Sequence, residues 1–244
     1  MDFSAWLELF FPGNSRCPLC RNSLGKNSLP LCKNCLKEVG AWVEEYLPCK
    51  TCGRFLPYAS TCLQCTGKLP VYNEARALGP YRGILKKAVY ELKFHGKKEL
   101  AHPLGYMMAA KVMEQDWDWD FLLPVPLDRK RLEERGYNQA QLLTKEIGKQ
   151  LRSPLLLGVL LKKRSTQAQA KLSREARMRN LRNSFLVASP EKLKGKKLIL
   201  VDDILTTGST AEECTKTLLA AGAKVINVIT IASGIQKSST KTLK

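Results

Sequence analysis

Residues 201–210, VDDILTTGST, set two adjacent carboxylates at the end of an apolar run, followed by a turn of small and hydroxylated side chains. Free backbone N–H groups at a helix start favour an anion, and a glycine there, Gly208, lets the backbone approach it closely. Thr206, Thr207, Ser209 and Thr210 add hydroxyl donors, so the turn suits one phosphate. The vicinal Asp202 and Asp203 suit neighbouring ribose hydroxyls, much as an acidic residue does in dinucleotide-binding folds. Together they describe a ribose 5-phosphate site. Helix capping alone explains Asp-Asp after an apolar strand poorly. The phosphate-loop pattern GxxxxGK[ST] does not occur, which argues against an intrinsic P-loop ATPase.

A second chemistry lies near the other end. Four CxxC pairs, Cys17 and Cys20, Cys32 and Cys35, Cys49 and Cys52, Cys62 and Cys65, are separated by 11, 13 and 9 residues. A two-residue gap turns both sulfurs inward on one tight loop, and two such loops complete a tetrahedron around zinc. Sequence order gives two successive ribbons; an interleaved arrangement, with pairs one and three sharing an ion, fits the spacing too. Disulfides and redox CxxC pairs are the competing readings, but no export signal precedes the cysteines and a cytosol keeps thiols reduced. Four-thiolate sites leave no open coordination position, so two zinc ions here are structural. Cys214 stands apart.

These residues must be held by an α/β framework. Ahead of the cysteines, the opening stretch reads as a short amphipathic lead-in. A strand near 74–78 precedes a helix ending at Gly96, with Ile84, Leu85, Ala88, Val89 and Leu92 on one face and Arg82, Lys86, Tyr90 and Lys93 opposite. That basic face either tracks a nucleic-acid backbone or is simply solvated. A helix over 100–113 leads to an apolar strand over 121–127, ended by its prolines. Arg129, Lys130, Arg131 and Arg135 follow, beyond a strand's carboxyl end, where open α/β sheets place ligands. A helix over 138–151, a strand near 184–187, a strand over 197–202, a helix over 209–221 and a strand over 224–231 complete the pattern.

The formal charge is +18 with every cysteine neutral. Two four-thiolate zinc sites, each −2, lower it by four and leave a surplus that suits polyanionic partners. Residues 162–197 alone hold twelve basic and two acidic side chains, and their first half reads as a loop. No apolar run is long enough to span a bilayer. The organisation expected is a double zinc ribbon over 1–68, an α/β domain over 69–233 and a disordered basic tail over 234–244.

VDDILTTGST resembles the signature of type I phosphoribosyltransferases, which bind 5-phosphoribosyl 1-diphosphate (PRPP). The four CxxC pairs followed by KFHGKKELA, PVPLDRKRLEERGYNQA, STQAQAKLSREARMRN and the DD motif resemble the ComF family of competence proteins over nearly the whole chain. That resemblance implies a double zinc ribbon joined to a phosphoribosyltransferase-like domain with a central parallel sheet. It implies that Asp202 and Asp203, also the candidate catalytic pair, hold the ribose hydroxyls. Residues 206–210 then take the 5-phosphate, and Val125, Pro126 and Leu127 meet the diphosphate with its magnesium. Thr166, Gln167, Gln169 and Arg174 fall in a matching flexible loop.

The resemblance further implies handling of single-stranded DNA in natural transformation, beside a helicase-type partner, in a cytoplasmic protein that partners bring to the inner membrane. Arg82, Lys86, Lys93, Arg129, Arg131 and Arg135 are the nucleic-acid candidates. A transferase acting on an unidentified base or nucleotide acceptor, with no DNA role, is the alternative. A scaffold with a vestigial pocket is disfavoured by the intact motif.

Overall fold

The computed structural model describes residues 16–24, 31–57, 61–163 and 183–236. The lead-in before residue 16 and the loop residues Thr166, Gln167, Gln169 and Arg174 lie outside them. In chain order the elements are α1 (Lys33–Gly40), β1 (Leu47–Pro48), β2 (Phe55–Leu56), α2 (Leu63–Gly67), β3 (Glu74–Pro80), α3 (Gly83–Phe94), α4 (Ala101–Met113) and β4 (Phe121–Pro124). Next come α5 (Arg129–Arg135), α6 (Gln139–Leu151), β5 (Leu160–Lys162), β6 (Phe185–Val187), β7 (Lys197–Leu205), α7 (Ser209–Ala220) and β8 (Val225–Ser233).

Four parallel strands form the central sheet in the order β3-β8-β7-β4. The two inner strands, KLILVDDIL and VINVITIAS, are buried along most of their length, as strands covered on both faces must be. Side chains alternate between the two layers. Ile199, Val201, Ile229 and Ile231 pack with Leu85 and Leu92 of α3, Met108 of α4 and Leu143 of α6. Leu198, Leu200, Ile226 and Val228 pack with Cys214 and Leu218 of α7 and with Phe185 of β6. Each fully buried leucine in these layers contributes roughly 2 kcal/mol through area removed from water.

The cysteines form two clusters in sequence order: Cys17, Cys20, Cys32 and Cys35, then Cys49, Cys52, Cys62 and Cys65, with Sγ atoms in each within 4.8 Å of one another. Interleaving is thereby ruled out. Sγ separations of 3.7 Å for Cys17–Cys35, 3.4 Å for Cys20–Cys32 and 3.5 Å for Cys52–Cys62 approach the roughly 3.8 Å edge of a tetrahedron with zinc–sulfur bonds of about 2.3 Å. The donor sets fit zinc.

The two ribbons flank opposite layers of the sheet. The first, through Leu19, Leu31, Cys35 and Val39, joins the α3 layer, and the second, through Cys52, Leu56 and Cys65, joins the α7 layer. The second also reaches the edge strand β3: Ala75 N donates to Thr51 O at 2.8 Å, and Arg76 Nη1 to Lys50 O at 2.7 Å. Gly53, at φ +64°, approaches so closely that a Cβ would lie 2.5 Å from Ala75 O. Covered this way, the edge offers little template for pairing with another chain.

Residues 234–236, read from sequence as the start of the tail, are tied to the second ribbon. Phe55 N donates to Gly234 O at 3.0 Å, Gln236 N donates to Phe55 O at 2.9 Å, and Ile235 bridges Phe55 in parallel. Two further differences from the sequence pattern concern the site. The strand expected to stop at Asp202 continues to Leu205, and the arginine-rich segment after β4 forms α5.

Candidate functional site

The carboxyl ends of β7 and β4 lie side by side, with Val125 N donating to Val201 O at 2.9 Å just past the last paired residues. This brings Val125, Pro126 and Leu127 alongside Asp202 and Asp203. Asn138 fixes the first of these loops. It caps α6 by accepting from Ala140 N at 2.9 Å, and its Nδ2 donates to Val125 O at 3.0 Å. Asparagine at a helix start was visible in the sequence, but its second bond is a tertiary contact.

Because the strand runs on to Leu205, Asp202 and Asp203 point to opposite faces of the sheet. Asp203 faces α3, where Lys93 Nζ meets its Oδ1 at 2.8 Å; its side chain is 2% exposed. Lys93 is therefore turned toward the sheet, not to the open face that helical periodicity gave it. Asp203 Oδ2 is buried and has no hydrogen-bond partner among the described residues. Buried polar atoms are nearly always paired, so an open acceptor here fits a ligand hydroxyl or a cation. Asp202 lies on the α7 side and accepts from Asp203 N at 2.8 Å. Burial, then the neighbouring Asp203 charge, push its carboxyl up to about 7, with Lys93 and Lys162 opposing.

After Leu205 the chain turns through Thr206, Thr207 and Gly208 into α7. Gly208, at φ +80°, is the N-cap and supplies no side chain, so beyond Ser209 the first-turn N–H groups of α7 receive no cap from it. Its left-handed φ strains any other residue. The hydroxyls of Thr207 and Ser209 lie 2.9 Å apart, and Ser209 N donates to Thr207 Oγ1 at 3.4 Å. The second ribbon supports this turn from outside: Arg54 Nη2 donates to Thr206 O at 3.0 Å. That contact spans 152 residues, and no local pattern in the sequence marks it.

Lys163 and Asn183, the described residues on either side of 164–182, lie at one place. β5 and β6 pair antiparallel, Lys163 N donates to Ser184 O at 2.7 Å, and Asn183 N donates to Glu213 Oε1 on α7 at 2.8 Å. Both ends are thus anchored beside the α7 side of the site.

The basic candidates separate. Arg82 stacks on Trp42, its guanidinium 4.2 Å from the ring centroid, and donates to Tyr46 Oη at 2.9 Å, latching the first ribbon to α3. Arg129 pairs with Glu133 at 2.8 Å and Arg131 with Asp128 at 3.6 Å. Arg135 bonds Gln139 Oε1 and lies 5.5 Å from the Phe94 ring centroid. Lys86 is exposed.

Comparison with known proteins agrees with this architecture. Residues 134–242 match the model of the phosphoribosyl transferase domain and residues 6–66 that of the double zinc ribbon domain. The chain is 31% identical over 222 residues to competence protein F of Haemophilus influenzae, covering 88% of this chain and 95% of that protein. It is 30% identical over 220 residues to the DNA utilization protein YhgH of Escherichia coli K12, covering 87% and 94%. It is 26% identical over 220 residues to competence protein ComFC of Bacillus subtilis, covering 89% and 84%. Among the described residues no helix is long and apolar enough to cross a membrane. Ordered cysteine clusters, a parallel sheet with the DD-turn-helix at its carboxyl edge, and near end-to-end similarity converge: the chain belongs to the ComF family, with a double zinc ribbon and a phosphoribosyltransferase-like domain.

Proposed function

We propose that the chain binds PRPP at the carboxyl ends of β4 and β7 and that the occupied site serves in handling single-stranded DNA. The observation that carries the reading is the pairing of two features on one strand-turn-helix. The Gly208 turn supplies no capping side chain, so the helix N–H groups after Ser209 can face a phosphate, and Asp203, one strand end away, keeps a buried carboxylate oxygen without a partner among the described residues. A ribose hydroxyl donating to Asp203 Oδ2 would satisfy that orphan acceptor, with Asp202 beside it at the strand end for the neighbouring hydroxyl, and the 5-phosphate would sit over Thr206, Thr207, Gly208, Ser209 and Thr210. Val125, Pro126 and Leu127 would face the diphosphate. Magnesium, when bound with PRPP, neutralises diphosphate charge.

The DNA role is supported by two relatives whose names speak of competence and DNA utilization and by the +18 formal charge. Calorimetric titration of the zinc-loaded protein with PRPP and magnesium tests the site. Replacing Asp202 and Asp203 together by Asn removes the charge-assisted acceptor that Asp203 offers and alters its neighbour, and is expected to weaken binding by about tenfold or more. Unchanged affinity overturns the assignment. Release of diphosphate from PRPP in the presence of bases, nucleosides or DNA distinguishes a transferase from a binder.

A further inference from the structure

The last turn of α3 carries an aromatic cluster that the site above does not use. Tyr90 is 51% exposed and Phe94 65% exposed, although both belong to a helix whose opposite face is fully buried. Their ring centroids lie 5.2 Å apart at 48°, and the His95 ring lies 5.1 Å from that of Tyr90. Arg135, arriving from the end of α5, holds its guanidinium 5.5 Å from the Phe94 centroid, and Lys86 is exposed one turn before Tyr90. Lys98 lies 4.9 Å from the ring of Tyr137, whose hydroxyl bonds Leu92 O at the same end of α3.

Exposed rings in such density cost solvation, and a partner that covers them recovers it. We infer that Tyr90, Phe94 and His95, with Arg135 and Lys86 beside them, form a stacking platform for the bases of single-stranded nucleic acid. Charge complementarity selects the occupant: cations border the rings, in a chain of formal charge +18, which suits a polyanion. A duplex keeps its base faces stacked inside, so rings at this surface can engage only unpaired bases. Lys93, between the two ring-bearing positions, reaches Asp203, so the platform and the PRPP site share one helical turn.

The inference rests on the DNA-handling reading, and the test keeps the two apart. Full-length, zinc-loaded protein is titrated by fluorescence anisotropy with a labelled 20-nucleotide oligothymidylate and with an abasic strand of the same length. The wild type is expected to prefer oligothymidylate by roughly ten- to a hundredfold, since stacking needs the base. Tyr90→Ala with Phe94→Ala should erase that preference at unchanged zinc content and Tm, whereas Tyr90→Phe keeps it. Lys86→Ala should weaken both strands alike. A double variant that retains the preference, or a wild type that binds both strands equally, overturns the platform and leaves DNA binding standing. A wild type that binds neither strand overturns both readings. A change in oligomeric state with strand affinity unaltered assigns the rings to self-association and overturns the platform as well.

Discussion

A carboxylate with a side chain 2% exposed needs a nearby cation, and Lys93 supplies it to Asp203. Asp202 has no such close partner. Burial and the Asp203 charge raise its carboxyl to about 7, so between about pH 4 and 7 the folded protein binds a proton that the unfolded chain does not. A raised carboxyl contributes its stability below the unfolded value and loses it as pH rises through the folded one. Asparagine imitates the protonated acid. Asp202→Asn is therefore expected to raise Tm at pH 8 and to raise it far less at pH 5, on the order of 2–4 °C for each kcal/mol relieved in a chain of this size. Equal gains at both values, measured by thermal melts of ligand-free protein, would show that Asp202 is not held neutral.

The second ribbon holds the turn at 206–208 as a clamp, through Arg54 on the Thr206 carbonyl and through strand-like pairing of Phe55 with residues 234–236. The first ribbon has no comparable contact with that turn among the described residues; its latch is Arg82 over Trp42 at the start of α3. Cys49→Ser with Cys52→Ser should therefore weaken PRPP binding roughly tenfold, the loss expected for one hydrogen bond from a charged donor. Cys17→Ser with Cys20→Ser should leave PRPP binding nearly intact. Zinc content and calorimetric affinity measured together decide it, and equal losses in both variants would count against the clamp.

Such elements were unevenly legible in the sequence. The cysteine knuckles and the Gly208 turn are local chemistry, and α3 announces itself by a clean apolar stripe, so all three could be read directly. α5 could not: it buries no residue, and only the Asp128 cap and Gly136 at φ +74° bound it. β7 was cut short because two acids interrupt its apolar run, though Leu205 beyond them is buried. Arg54 was invisible because its partner is fixed by tertiary packing alone.

Taken together, the ribbons, sheet and helices form an interlocked body. Ser233 Oγ donates to Gly53 O at 2.5 Å across 180 residues, and the second ribbon shares its apolar cluster with α7, β7 and β8. Backbone groups on buried Gly53 and Ala75 and on half-buried Gly234 find their partners across that boundary, so separating the parts would leave them unpaired. Differential scanning calorimetry of the zinc-loaded chain is expected to show the second ribbon and the sheet unfolding in one transition. A separate low-temperature transition, abolished by Cys49→Ser with Cys52→Ser, would show that they unfold independently.

The bridge between Phe55 and Ile235 also bears on how the protein is made. The second cysteine cluster can close around zinc once Cys65 has emerged, since all four ligands lie within a short stretch. Its docking partner is far downstream, and at about 5–20 residues per second the gap of 180 residues, the same as that between Gly53 and Ser233, takes roughly 10 to 40 seconds to translate. During that interval Phe55 lacks its backbone partners at 234–236 and Leu56 lacks the β7 and β8 residues of its apolar cluster, though the two are 7% and 3% exposed in the finished fold. Metal loading comes early and assembly late, so the nascent ribbon is when this protein most needs protection from aggregation.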